Sequence, residues 1–166
     1  MQTKVKLLGH PVHQMLIVFP LGLLATAVLF DLVHIASGRP MMAAVAYWMM
    51  VAGIIGGLLA APFGWLDWMQ IPRGTRAKRV GLVHGLGNVG VVLLFIGSWW
   101  LRRETPEAPA ALAHALSFIG AGIAMVTAWL GGELVDRLGV GVYDDANLDA
   151  PTSLREPKLR ERPITR

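Results

Sequence analysis

The sequence predicts an all-α integral membrane protein, a four-helix up-down bundle that ends in a polar cytoplasmic tail. Hydrophobic residues make up 54% of the 166 residues and charged residues only 16%, whereas a soluble domain carries about 25% charged residues. The mean hydropathy is +0.53. Four apolar stretches each reach the roughly 20 residues that a helix needs to cross about 30 Å of hydrocarbon. None alternates polar and apolar residues as a membrane barrel strand does.

The four apolar stretches form one domain, residues 1–142, with short links between them. Short links make consecutive helices antiparallel neighbours. Pro20 and Pro62 lie inside the first and second stretches, where each removes a backbone donor and predicts a local kink. Residues 143–166 are rich in charge and proline and predict a flexible tail. The predicted spans are 12–36, 41–66, 80–101 and 110–134.

Small residues recur four positions apart, as at Gly53 and Gly57 and at Gly81 and Gly85. This spacing lets helix backbones approach closely in lipid. Packing within the bundle is one interpretation, and a homodimer face is the other.

The basic residues indicate which way the bundle faces. Four spans place both chain ends on the same side of the membrane. Seven Lys and Arg residues flank the spans on that side and three lie on the other, and positive charge collects on the cytoplasmic side. The sequence therefore predicts a membrane protein with both termini in the cytoplasm. The seven are Lys4, Lys6, Arg73, Arg76, Lys78, Arg79 and Arg137, and the three are Arg39, Arg102 and Arg103.

Ionisable side chains inside or at the ends of the apolar stretches are the main functional signal. Such groups are costly at membrane depth, so they face a bundle interior and often mark a site. At about 100° per residue, one helical stripe in the first span carries His10, His13, Asp31 and His34. In the third span, His84 and Asn88 are four apart and share a face.

Depth sorts the polar groups into an inner layer near the cytoplasm and an outer layer. The outer layer holds Asp31, His34 and His114. The inner layer draws on all four helices and is the stronger candidate site. Its nitrogen and oxygen donors suit haem b held by two imidazoles, or a metal ion. We expect cofactor contacts from His13, His84, His10 and Asn88, and metal contacts from His13, His84, Asp67 and Glu133.

Structural roles for the same residues stay open. His13 and His84 would then join helices by hydrogen bonds. Asp67 would interact with Arg73, Arg76 or the amides of the following loop. Glu133 would neutralise a basic neighbour.

The motifs that are missing narrow the function further. The chain has no cysteine, which excludes disulfides, iron–sulfur ligation and covalent haem attachment. No P-loop, G-x-S-x-G or H-E-x-x-H motif is present, which disfavours an enzyme. No basic face fits nucleic acid. Three hypotheses remain: a membrane redox or metal-binding protein, an accessory subunit of a larger redox or membrane complex, and a small transporter that uses Asp31 and His13 as a proton relay.

Short motifs follow one another along most of the chain. They are His10-Pro11-Val12-His13, Phe19-Pro20-Leu21-Gly22-Leu23, Gly64-Trp65-Leu66-Asp67-Trp68, Pro72-Arg73-Gly74-Thr75, Trp129-Leu130-Gly131-Gly132-Glu133-Leu134-Val135 and Gly139-Val140-Gly141-Val142. Their order resembles a bacterial membrane family catalogued as domain of unknown function 2231. The resemblance implies a four-helix inner-membrane protein without an agreed activity, loosely similar to four-helix b-type cytochromes and in some members linked to redox partners. The polar positions of that family match His10, His13, Asp31, Asp67, His84, Asn88 and Glu133, whereas His34 and His114 are not part of its motif.

Overall fold

A computed structural model describes residues 1–154, so the end of the predicted tail, 155–166, lies outside the described residues. A short antiparallel pair of strands precedes the helices, and a π-helical turn follows the last of them. The strands are β1, Lys6–Leu7, and β2, His10–Pro11. The helices are α1, Val12–Leu16; α2, Val18–Ser37; α3, Pro40–Gln70; α4, Arg76–Arg102; and α5, Ala111–Gly132; the π-helical turn is Glu133–Arg137.

Four helical segments, counting α1 with α2, are long and apolar enough to cross a membrane. The prediction of an all-α, four-helix membrane fold is therefore confirmed. The helices extend past the apolar runs, since α3 continues to Gln70 and α4 already begins at Arg76. Thr75 explains the second boundary, because its hydroxyl accepts a hydrogen bond from the Lys78 amide at 3.1 Å and caps the helix.

The two prolines within spans behave differently. Pro20 has no amide proton to give to the carbonyl of Leu16, four residues earlier. The helix assignment is accordingly interrupted at Ile17, between α1 and α2, although the backbone of Ile17 keeps right-handed helical angles, with φ −63° and ψ −17°. Pro62 lies inside α3, which runs through it without interruption. The first proline therefore coincides with a local irregularity of the helix, and the second does not interrupt the helix assignment.

The bundle consists of two helical hairpins. The α2 helix packs along α3 and α4 packs along α5, while α3–α4 and α2–α5 contacts join the hairpins. The shared core combines large side chains with alanines that let the backbones approach. Its buried members are Leu24, Ala27, Ala46, Met50, Ile54, Val91 and Phe95.

The chain's N-terminal segment and its last described segment meet at one end of the bundle. The Met1 amine donates to the Gly139 carbonyl at 3.0 Å, and the Gly141 amide donates to the Met1 carbonyl at 2.9 Å. The Tyr143 hydroxyl donates to the Gly9 carbonyl at 2.6 Å. Described residues at the start of the predicted tail therefore contact the N-terminal segment.

Candidate functional site

His13 is held by the helix that follows it in the first hairpin. Its Nδ1 lies 3.1 Å from the carbonyl oxygen of Ala60 in α3. A carbonyl oxygen only accepts, so Nδ1 carries a proton, and in the neutral ring Nε2 then carries the lone pair. One turn further along α3, the imidazole packs against Gly64, where a Cβ atom would stand 2.7 Å from His13 Cε1.

His84 is held in the same way in the second hairpin. Its Nδ1 lies 2.8 Å from the carbonyl oxygen of Thr127 in α5. One turn further along α5, the ring packs against Gly131, where a Cβ atom would stand 3.2 Å from His84 Cε1. The tautomer is again the one that protonates Nδ1 and leaves a lone pair on Nε2.

These two arrangements define what we call the imidazole units: a histidine, a backbone carbonyl that binds its Nδ1, and a glycine four residues after that carbonyl. A metal-ligating histidine characteristically donates its other ring nitrogen to a carbonyl or carboxylate, which fixes its orientation. Both units therefore have the hydrogen bonding of a ligand whose Nε2 is the donor atom.

Asn88 lies beside the second unit. Its Nδ2 donates to the His84 carbonyl oxygen at 2.8 Å and is 3.3 Å from His84 Nε2. Its Oδ1 accepts from the Thr127 hydroxyl at 3.2 Å. Two hydrogen bonds that do not involve the imidazole ring thus hold the Asn88 amide. The Asn88 side chain would therefore stay in place if another group took its position at His84 Nε2.

The other inner-layer residues have separate partners. Asp67 accepts a hydrogen bond from the Thr3 hydroxyl. Glu133 pairs with Arg76, Oε2 to Nη2, at 2.6 Å. His10 lies in β2 and not on a helical stripe, and it is exposed, with Nε2 3.5 Å from the Ser153 hydroxyl.

These partners bear on the expected metal site. Among residues 1–154, no three His, Asp or Glu side chains are grouped so that they could hold a metal ion. A bare ion shared by His13, His84, Asp67 and Glu133 has no support in the geometry.

The outer layer contains a buried ion pair. The guanidinium of Arg102 donates to Asp31 twice, Nη1 to Oδ1 at 2.6 Å and Nη2 to Oδ2 at 2.9 Å. Both side chains are 0% exposed. Two hydroxyls complete the network, since Ser117 donates to Asp31 Oδ2 at 3.1 Å and Ser98 accepts from Arg102 Nε at 3.2 Å.

The sequence interpretation ended the third span at residue 101 and counted Arg102 among the basic residues outside the spans, and this assignment is wrong. The apolar run ends at Leu101, but the helix includes Arg102 and its side chain points into the bundle. One available signal was charge: Asp31 is an acidic residue within the first span, and a charge in hydrocarbon needs an opposite charge at the same depth. Such a partner can lie at a helix end.

His114 and His34 complete the outer layer. Their rings stack with centroids 5.9 Å apart. His34 Nδ1 is bound to the Arg39 carbonyl at 2.9 Å. His114 Nε2 is buried, has no hydrogen-bond partner among the described residues, and lies 3.8 Å from Asp31 Oδ1. Neither ring forms an imidazole unit.

Comparison with known proteins identifies one family. The model of DUF2231, described as a predicted membrane protein, matches residues 9–144. The match includes both imidazole units and the buried ion pair. No curated protein and no solved structure matches the chain.

Proposed function

The chain belongs to the DUF2231 family of predicted membrane proteins, and on that premise we propose that it binds haem b between His13 and His84 and carries electrons. One observation carries the proposal: each imidazole donates Nδ1 to a carbonyl of a neighbouring helix, Ala60 or Thr127. This arrangement leaves two Nε2 lone pairs, one from each hairpin. Two imidazoles are a common axial ligand set for a b-type haem.

The number of ligands favours haem over a bare metal ion. A structural zinc site needs four protein ligands and a catalytic zinc site three. The described residues offer no group of three. A haem would bring its own nitrogen ligands to the iron, so His13 and His84 would be enough to hold it. The residues present therefore fit haem better than they fit a protein-built metal centre.

Residues around the two histidines would hold these ligands in place. The carbonyls of Ala60 and Thr127 fix both ring orientation and tautomer. Asn88 and Thr127 share a hydrogen bond that joins α4 to α5 behind His84. A bound haem would supply one-electron redox chemistry, and the protein would tune it through the hydrogen bonds to the ligating imidazoles.

The proposal includes an orientation in the bacterial inner membrane. Arg102 is buried in the bundle, so it does not count as a loop charge on the outer side. Arg39 and Arg103 then remain there against seven basic residues at the opposite end. The positive-inside rule places that opposite end, with both termini, in the cytoplasm.

The visible spectrum of the full-length protein, purified from membranes, tests the proposal. We expect a Soret band and a low-spin spectrum in the wild type. His13→Ala and His84→Ala should each lose the low-spin signal while the protein still inserts. His114→Ala is the matched control, because His114 forms no imidazole unit, and it should keep the signal. A wild-type protein that neither retains nor takes up haem would overturn the proposal.

An accessory role is the second candidate, and the contacts between the N-terminal segment and residues 139–153 favour it. The N-terminal segment and residues 139–153 form a surface outside the spans, tied by Met1, Tyr143 and Ser153. This surface could contact a membrane complex. Isolation of a stable complex from membranes, together with a wild-type protein that lacks a Soret band, would favour this role.

A further inference from the structure

The two hairpins correspond at five pairs of positions. On the first helix of each, His84, Phe95 and Arg102 follow His13, Leu24 and Asp31 by the same 71 positions. On the second helix of each, Thr127 and Gly131 follow Ala60 and Gly64 by 67 positions. The imidazole units are therefore equivalent sites in two structural repeats.

Two glycine contacts elsewhere in the hairpins show the same offsets of 71 and 67 positions. A Cβ on Gly53 would stand 2.6 Å from Leu24, and a Cβ on Gly120 would stand 3.0 Å from Phe95. Leu24 and Phe95 are again 71 positions apart, and the two glycines 67. The hairpins thus share one packing register along their length, and the imidazole units lie at matching heights in it.

We infer that Gly64 and Gly131 are equivalent positioning residues, which set the planes of the two imidazoles so that each Nδ1 meets its carbonyl and each Nε2 stays available to a haem. The inference rests on the proposed function. The glycines act through the histidines and need not touch the cofactor.

The contacts at these glycines show why a side chain would disturb the ring. A Cβ on Gly64 would stand 2.7 Å from His13 Cε1 and 3.0 Å from both ring nitrogens. A Cβ on Gly131 would stand 3.2 Å from His84 Cε1 and 3.7 Å from Nδ1. In both units Cε1, the atom between the two nitrogens, is the closest. A methyl group would therefore push the ring away from its carbonyl, more strongly in the first unit.

Three sets of Gly→Ala variants of the full-length protein separate positioning from general packing. Gly64→Ala and Gly131→Ala change the units. Gly53→Ala and Gly120→Ala crowd apolar side chains instead. Gly122→Ala is the open control, because a new Cβ there would meet no atom within 4 Å among residues 1–154 beyond the adjacent residues and the backbone of its own helix. Thermal unfolding in detergent reports packing for all five.

The first readout needs no haem. ¹⁵N NMR of the histidine rings in haem-free protein should show Nδ1 protonated for His13 and His84 in the wild type, in Gly122→Ala, and in whichever of Gly53→Ala and Gly120→Ala folds. Gly64→Ala should alter the His13 signal and leave His84 unchanged, and Gly131→Ala should do the reverse. Unaltered ring signals in both variants would overturn the inference.

The second readout is haem binding. Changes around metal-ligating histidines typically cost about 10- to 100-fold in affinity, and we expect losses of that size for Gly64→Ala and Gly131→Ala, the larger for Gly64→Ala. A haem-binding wild type with unchanged affinity and spectrum in both variants would refute the positioning role alone. A wild type without haem would refute the proposed function, while the NMR result would still decide whether the glycines orient the rings.

Discussion

Arg102 and Asp31 meet through two parallel hydrogen bonds of 2.6 and 2.9 Å, with both side chains fully buried. The pair joins α4 of the second hairpin to α2 of the first. The two residues also occupy the same position in the two repeats. If two copies of the same hairpin packed together in this way, two aspartates or two arginines would meet. Packing of the first hairpin against the second brings opposite charges together instead, so this ion pair favours that arrangement.

Loss of one partner of this ion pair should be costly. Arg102→Met leaves the Asp31 carboxylate buried without a counter-charge, which typically costs about 3–5 kcal/mol. We expect a large drop in the midpoint of thermal unfolding in detergent. Arg103→Met, at an exposed position next to it, should change the midpoint little.

The double variant Asp31→Leu/Arg102→Met should recover most of that loss. Apolar replacements of similar volume are often neutral or stabilising when they remove both charges of a buried pair. A double variant as unstable as Arg102→Met would contradict this account of the network.

Reporter fusions should give an alternating topology. Fusions after Gly38 and after Glu104 should report the periplasm, and a fusion after Gly74 the cytoplasm, because the basic residues concentrate around the last of these links. The opposite pattern would reverse the proposed orientation.

The Tyr143 side chain should hold the N-terminal segment in two ways. Its hydroxyl donates to Gly9 and Lys6 Nζ lies 3.8 Å from its ring centroid. Tyr143→Phe should cost about 1 kcal/mol for the hydrogen bond, and Tyr143→Ala about 0.5–1 kcal/mol more for the cation–π contact. Trypsin cleavage at Lys4 and Lys6 should be faster in Tyr143→Phe than in the wild type, and faster still in Tyr143→Ala. Equal cleavage rates in both variants and the wild type would show that the contact does not protect this segment.

Two truncated chains should show which part of the tail protects the N-terminal segment from proteolysis. A chain that ends after Tyr143 loses the exposed Asp144–Met1 ion pair and the exposed Ser153–Leu8 hydrogen bond. Surface ion pairs contribute little to stability. This chain should insert with unchanged helix content by circular dichroism. A chain that ends after Gly139 also loses the contacts of Gly141 and Tyr143, and we expect faster proteolysis of its N-terminal segment. Failure of the longer chain to insert would show that residues 144–166 are needed for folding.

The sequence predicted the number of membrane-spanning helices but not the residues at which they end. Apolar runs of membrane-spanning length predict four helices, because a backbone in lipid must satisfy its hydrogen bonds within the segment. The runs do not mark helix ends. Backbone hydrogen bonding continues through polar residues such as Gln70 and Arg76, and Arg102 was counted outside the third span for the same reason.

The sequence predicted the histidine side chains of the candidate site but not the backbone groups that orient them. Ionisable residues at membrane depth drew attention to His13 and His84. The groups that orient them, the carbonyls of Ala60 and Thr127, are backbone atoms that no side-chain pattern reveals. The grouping of Asp67 and Glu133 with the histidines rested on depth alone, and each has a partner elsewhere.

The sequence by itself determined that this chain is a four-helix membrane protein with histidines inside it, because hydropathy and length act locally along the chain. The tertiary structure decided which groups meet. Side-chain pairing depends on helix rotation, tilt and register, and these follow from close contacts such as Gly53 with Leu24 and Gly120 with Phe95. Those contacts brought Arg102 to Asp31 and gave His13 and His84 the same surroundings in the two hairpins.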